Sequence, residues 1–117
     1  MAKSNKPLLW LPFAAGGTLA AFVLPAVMLA LLLAALGVLS PDSVEHGRLA
    51  AFAGSLSGKA VLLVGLMLPL WHAAHRLRMT LQDLGVRRRA TRKWVARLCY
   101  LGAAAVSALI VYALLLL

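Results

Sequence analysis

From Phe13 to Leu39 the chain reads FAAGGTLAAFVLPAVMLALLLAALGVL, without a single charged residue. A helix needs roughly 20 residues to cross the hydrocarbon core of a bilayer, so this stretch is long enough to span. The apolar core of a secretory signal runs to about 7–15 residues, whereas no charge appears from Pro7 through Pro41. Lys3 and Lys6 therefore precede a retained span rather than a cleaved leader. Trp10 stands at its start and Ser40-Pro41-Asp42-Ser43 form its exit turn. Pro25 lies inside, where a membrane helix tolerates a bend if neighbouring groups satisfy the freed carbonyl.

Two further stretches repeat this reading. Ala60 to Ala74 is apolar but too short to cross, and extending it to about 54–77 restores the length. Lys59 then lies near one surface, its stem along the helix and its ammonium reaching for water. Gly54 and Gly58 are spaced as G-x-x-x-G, a pattern read here as helix packing. The third span covers about 94–117, with no charge from Leu98 onward. Composition agrees: the 117 residues are 63% hydrophobic and 13% charged, with a mean hydropathy of +0.93. Soluble domains carry about 25% charged residues, so too few remain here to clothe a water-soluble globule. The fold expected is all-α, a single membrane domain over 1–117 with three transmembrane helices.

The net charge of +9 does not point to nucleic acid, because the cations lie between apolar stretches and no nucleic-acid motif accompanies them. They report orientation. Lys3 and Lys6 flank the first span, and Arg76, Arg78, Arg87, Arg88, Arg89, Arg92, Lys93 and Arg97 crowd the second connection, against Asp83 alone. The first connection holds Asp42 and Glu45 against Arg48. The positive-inside rule puts the N-terminus and the basic loop in the cytoplasm and the C-terminus outside. The basic run suits contact with lipid headgroups or with an acidic face of a cytoplasmic partner. A lone Cys99 provides neither an internal disulfide nor a cysteine cluster.

This orientation brings Trp10 and Phe13, at the start of the first span, to the same surface as His72, His75 and Arg76, at the end of the second. An imidazole and a guanidinium at the end of an apolar helix are costly to desolvate, so they line a polar pocket or reach for the headgroups. His72 and His75, three residues apart, share a helix face and cannot supply the two opposite axial ligands of one haem. The spacing of His72 and Asp83 is like that of a haem-anchoring segment in some succinate dehydrogenase anchors, but the tyrosine expected after the aspartate is absent. Trp71 and Trp94 read as interfacial belt residues, Trp10 equally as belt or pocket. His46, in the outer connection, carries no role, and Met28, Met67 and Met79 read as ordinary helix-face residues.

Taken with Trp10-Leu11-Pro12-Phe13-Ala14-Ala15-Gly16-Gly17, Pro25, Arg48-Leu49-Ala50-Ala51-Phe52-Ala53, Leu68-Pro69-Leu70-Trp71 and His75-Arg76, the chain resembles the fumarate reductase D-subunit family over nearly its full length. That resemblance implies a non-catalytic anchor in the bacterial inner membrane, which with a second hydrophobic anchor, the C-subunit, tethers a flavoprotein and an iron–sulfur protein. It implies that menaquinol is oxidised near the iron–sulfur protein and its electrons reduce fumarate to succinate. Trp10, Phe13, His75 and Arg76 would border the quinol pocket, completed by the second anchor. Haem, flavin and iron–sulfur clusters are not expected to be bound by this chain. Two other classes remain open at this level: a haem-containing anchor of a succinate dehydrogenase, and a small structural or assembly membrane protein.

The orientation is tested by labelling single introduced cysteines with a membrane-impermeant thiol reagent in a Cys99→Ser background. A cysteine at Ser43 is expected to react from outside the cell and one at Thr91 only after permeabilisation; the reverse pattern would invert the topology.

Overall fold

The computed structural model describes residues 6–40, 42 and 45–117. Among them are four helices and no strand: α1 (Lys6–Ala35), α2 (His46–Gly54), α3 (Leu56–Asp83) and α4 (Arg89–Leu116). Three contain stretches long and apolar enough to cross a membrane: Trp10–Ala35, Leu56–Asp83 and Arg89–Leu116. A 28-residue helix such as α3 or α4 is about 42 Å long against a hydrocarbon core of about 30 Å, so each extends past the bilayer.

The helix ends differ from those read off hydropathy, and local chemistry explains each difference. The first span was expected to run to Leu39, but α1 stops at Ala35 because Gly37 turns left-handed at φ +73°. The Val38 N–H then donates to the Leu33 carbonyl at 2.9 Å and the Gly37 N–H to the Ala34 carbonyl at 3.0 Å, closing the orphan carbonyls of the last turn. The second span was expected over 54–77, yet α3 continues through Arg78, Gln82 and Asp83 to a similar turn at Gly85, φ +117°. Hydropathy locates where the apolar face ends, and these polar residues are good enough helix formers to carry the helix into water. α4 likewise begins ahead of Trp94, and the Arg92 guanidinium donates to Gln82 Oε1 at 2.8 Å across the two extensions.

A short helix unforeseen from sequence, α2, precedes α3. Ser55 separates them: its extended backbone (φ −72°, ψ 152°) breaks the run, and its Oγ caps α3 by accepting from the Gly58 N–H at 3.0 Å while donating to the Phe52 carbonyl at 2.6 Å. The break changes the meaning of Gly54 and Gly58, which lie on two helices and form no common packing face. Gly58 is instead needed at the corner, where a Cβ would collide with the Phe52 carbonyl oxygen.

α3 is the element on which the rest assemble. α1, α2 and α4 all pack against it, whereas α1 and α4 make little contact with one another. α1 runs antiparallel to α3, with Gly16 buried against Leu68 and His72; a Cβ there would overlap the Leu68 carbonyl oxygen. On the other side, buried Ala74 and Ala103 mark the α3–α4 seam. Small residues at both contacts suit a solvent in which close van der Waals approach, not water exclusion, holds helices together. Most large apolar side chains remain exposed, among them Phe22, Met28 and Leu32 on α1, as expected for surfaces that lipid or protein covers in a membrane.

Replacing Gly16 by Leu inserts four carbons where one does not fit, an overpacking of about 1–3 kcal/mol or more. The amount of membrane-assembled protein, measured by immunoblot of a solubilised complex, is expected to fall several-fold. Gly65→Ala, whose Cβ meets nothing within 4 Å, is the matched control and is expected to leave it unchanged.

Candidate functional site

Because α1 and α4 sit on α3 without closing on each other, a cleft of about 560 Å³ opens between them at the end where α1 begins. Leu8, Trp10, Pro12 and Phe13 of α1, Met67, Leu68, Trp71 and His75 of α3, and Tyr100 of α4 line it. The walls are predominantly aromatic and aliphatic, with polar groups at His75, Tyr100 and the Trp71 indole. The indole is already engaged: its Nε1–H donates to Ser107 Oγ at 3.2 Å, leaving its ring stacked near Tyr100, centroids 6.2 Å apart.

Phe13 organises the α1 side. Its ring lies edge-on to Trp10 (centroids 5.6 Å, 79°) and to His75 (4.8 Å, 70°), and face-on to His72 (4.3 Å, 22°). The Phe13 carbonyl accepts from the His72 Nδ1–H at 2.8 Å. A carbonyl only accepts, so this bond assigns His72 the Nδ1–H tautomer. Gly17 is small for the same reason, since a Cβ there would stand 2.6 Å from His72 Cε1. His72 thus pins α1 to α3 and does not itself line the cleft.

On the α4 side the Tyr100 hydroxyl joins two groups of α3. His75 Nδ1 lies 2.9 Å from it, and the Arg78 guanidinium donates to it at 3.2 Å with its carbon 5.8 Å from the phenol centroid. Arg78 Nε is buried without a partner among the described residues. His75 Nε2 has no partner there either, so it is the ring nitrogen left for a ligand.

Of the residues singled out from sequence, the structure brings Trp10, Phe13 and His75 to this cleft. Arg76 is exposed and outside the lining, because one helical residue rotates a side chain by about 100° away from its neighbour. Trp71, read as a belt residue, and Met67, read as an ordinary helix-face residue, prove to be wall residues. Tyr100 and Arg78 were missed: Tyr100 sits inside an apolar span and Arg78 inside a run of cations. The available signal was the i, i+3 spacing of His75 and Arg78, which puts both on one face. Lys59 is half-buried beside a smaller apolar cavity of about 290 Å³ between α3 and α4, near the other end of the bundle. Among the described residues no three His, Cys, Asp or Glu side chains cluster as metal ligands would.

The family model of the fumarate reductase D-subunit matches residues 1–116. This chain belongs to the fumarate reductase D-subunit family. Proteins named as that component include one from Aliivibrio fischeri strain MJ11, 39% identical over 83 residues, which are 70% of this chain and 69% of the relative. One from Vibrio cholerae serotype O1 strain M66-2 is 39% identical over 70% of this chain and 64% of its own length. Another, from Mycobacterium bovis strain BCG / Pasteur 1173P2, is 41% identical over 99 residues, 84% of this chain and 77% of the relative. The family and the three membrane-length helices together make this chain a membrane anchor that works within a multi-subunit complex.

His72→Ala removes one hydrogen bond and one ring stack between α1 and α3, together about 1–3 kcal/mol. The detergent-solubilised complex is expected to lose several degrees of thermal stability, read by loss of intact complex on native gels after heating.

Proposed function

We propose that this chain anchors a quinol:fumarate reductase in the bacterial inner membrane and supplies one wall of its menaquinol site at the cytoplasmic end of the bundle. The observation that carries the reading is the cleft itself, where an imidazole and a phenol stand among aromatic walls at the bundle end to which the charge pattern assigns the cytoplasm. A quinol needs that combination: a flat apolar slot for its ring and a few directional polar groups for its oxygens. Trp10 and Phe13 supply ring contacts, and His75 supplies the hydrogen bond to an oxygen. Arg76, on the exposed surface outside the cleft lining, faces the partner subunit that covers that side of α3.

The tethered partners in this reading are a flavoprotein and an iron–sulfur protein, with the second hydrophobic anchor alongside and membrane lipid over the remaining apolar faces. The exposed apolar length of α1 supports a neighbour there. Electrons leave the quinol toward the iron–sulfur protein and reduce fumarate to succinate, the step that serves anaerobic respiration. This chain contributes no haem, flavin or iron–sulfur ligand; its residues bind and orient, while the redox centres belong to its partners.

The reading is tested by comparing two electron donors in membranes carrying His75→Ala. Quinol-driven fumarate reduction is expected to fall by about tenfold or more, the cost of one directional hydrogen bond in the reacting complex. A dye that reduces the soluble partners directly is expected to support unchanged activity. Equal loss of both would reduce His75 to an assembly role, and retention of both would remove it from the site. His46→Ala, on the outer helix α2, is expected to leave both intact.

A further inference from the structure

Two imidazoles three residues apart on α3 are held in different ways. His72 must carry its proton on Nδ1, because it faces a carbonyl. His75 faces a hydroxyl, which can donate once and accept twice, so its tautomer depends on what else the hydroxyl does. Arg78 decides this. A guanidinium has donors only, and its N–H points at Tyr100 Oη from 3.2 Å, occupying one acceptor position. The hydroxyl proton then needs an acceptor, and among the described residues the one within reach is His75 Nδ1, at 2.9 Å. In the chain Arg78 N–H to Tyr100 O, Tyr100 O–H to His75 Nδ1, each of the three contacting groups meets one of the opposite kind, while Arg78 Nε has no partner among the described residues. The opposite tautomer would aim two N–H donors at one oxygen and leave the phenol proton unused in a half-buried site.

We infer that Tyr100, oriented by Arg78, is a positioning residue that fixes His75 as the Nε2–H tautomer, so that His75 presents a hydrogen-bond donor to the quinol oxygen and does not take up its proton. The inference rests on the cleft being a quinol site and adds the role of each group within it. Nδ1 is filled by Tyr100 and Nε2 already carries hydrogen, so His75 in this state has no free lone pair facing the ligand. It holds a lone pair of the quinol oxygen, while the base that removes the quinol proton is a different group, outside the wall built by this chain. Tyr100 acts through His75 and touches the reacting oxygen only by way of it.

The test uses the assembled complex in membranes, with dye-driven activity as the measure of intact complex, and compares His75→Gln, His75→Ala, Tyr100→Phe and the Tyr100→Phe/His75→Ala double variant. A glutamine amide can donate from a nitrogen placed near Nε2 while its oxygen accepts from Tyr100, but it cannot take up a proton. His75→Gln is therefore expected to keep quinol-driven turnover within about threefold of the parent, whereas His75→Ala loses about tenfold or more. Tyr100→Phe is expected to lower quinol-driven turnover by about three- to tenfold in the parent and by nothing further in the His75→Ala background, the non-additivity of residues acting through one another.

If His75→Gln is as impaired as His75→Ala, His75 accepts the proton and the inference is overturned. An undiminished Tyr100→Phe effect in the His75→Ala background overturns it too, since Tyr100 then acts independently. His75→Ala with normal quinol-driven turnover overturns the quinol-site reading itself and the inference with it, which separates the two failures. Should Tyr100→Phe assemble poorly, the comparison of His75→Gln with His75→Ala decides the donor role alone.

Discussion

The close approach of α1 to α3 at Gly16 is the contact from which the cleft-bearing end of this protein follows. A bilayer provides little hydrophobic force between helices, because lipid chains are as apolar as the side chains they would replace. α1 is apolar around its whole circumference and has an exposed lipid-like surface along most of its length. Its position on α3 therefore depends on a few specific features: a glycine that lets backbone meet backbone at Leu68, a second glycine that makes room for the His72 ring, and the hydrogen bond from that ring to Phe13. A polar bond of this kind contributes about 0.6–2 kcal/mol within a membrane, modest in size but directional, so it sets rotation as well as distance. Fixing that rotation is what aims Phe13 and Trp10 at His75.

The cleft is a consequence of topology. Both outer helices use the middle one as their support and neither closes on the other, so a gap along α3 is unavoidable, and side chains decide how it is lined. At the end near the α1 start it is lined by aromatic rings, an imidazole and a phenol; near the other end a separate cavity, between α3 and α4 alone, is lined by leucines, alanine, valine and the stem of Lys59. The two ends of α3 thus differ in the chemistry of the cavities beside them. The chain belongs to the fumarate reductase D-subunit family and so works within a multi-subunit complex.

Polar groups at the cleft are few, and their partners matter correspondingly. Where water is scarce, an unpaired donor or acceptor costs more than it does in solution. Trp71 meets this constraint through Ser107, His72 through a backbone carbonyl, and His75 Nδ1 through the Tyr100 hydroxyl, which also accepts from one terminal N–H of Arg78. Each such bond joins two helices or locks a ring, so the same atoms that are satisfied also hold the geometry of the wall.

The three spans, their order and the sidedness of their charges were legible in the sequence, because partition of apolar residues into a bilayer is local and nearly additive along the chain. Trp10, Phe13 and His75 could be assigned to one surface for the same reason: helix ends alternate between the two sides of a membrane. The helix limits at Gly37, Ser55 and Gly85 were less accessible, since hydropathy marks the end of an apolar surface while capping bonds mark the end of a helix. The lining of the cleft was decided only by the tertiary structure. Trp71 and Tyr100 stand in largely apolar stretches of α3 and α4, and such a stretch carries little record of which face its neighbours will meet. Arg76 and Arg78 look equivalent in the sequence, and a rotation of two helical residues about the α3 axis puts one on the exposed surface and the other against Tyr100.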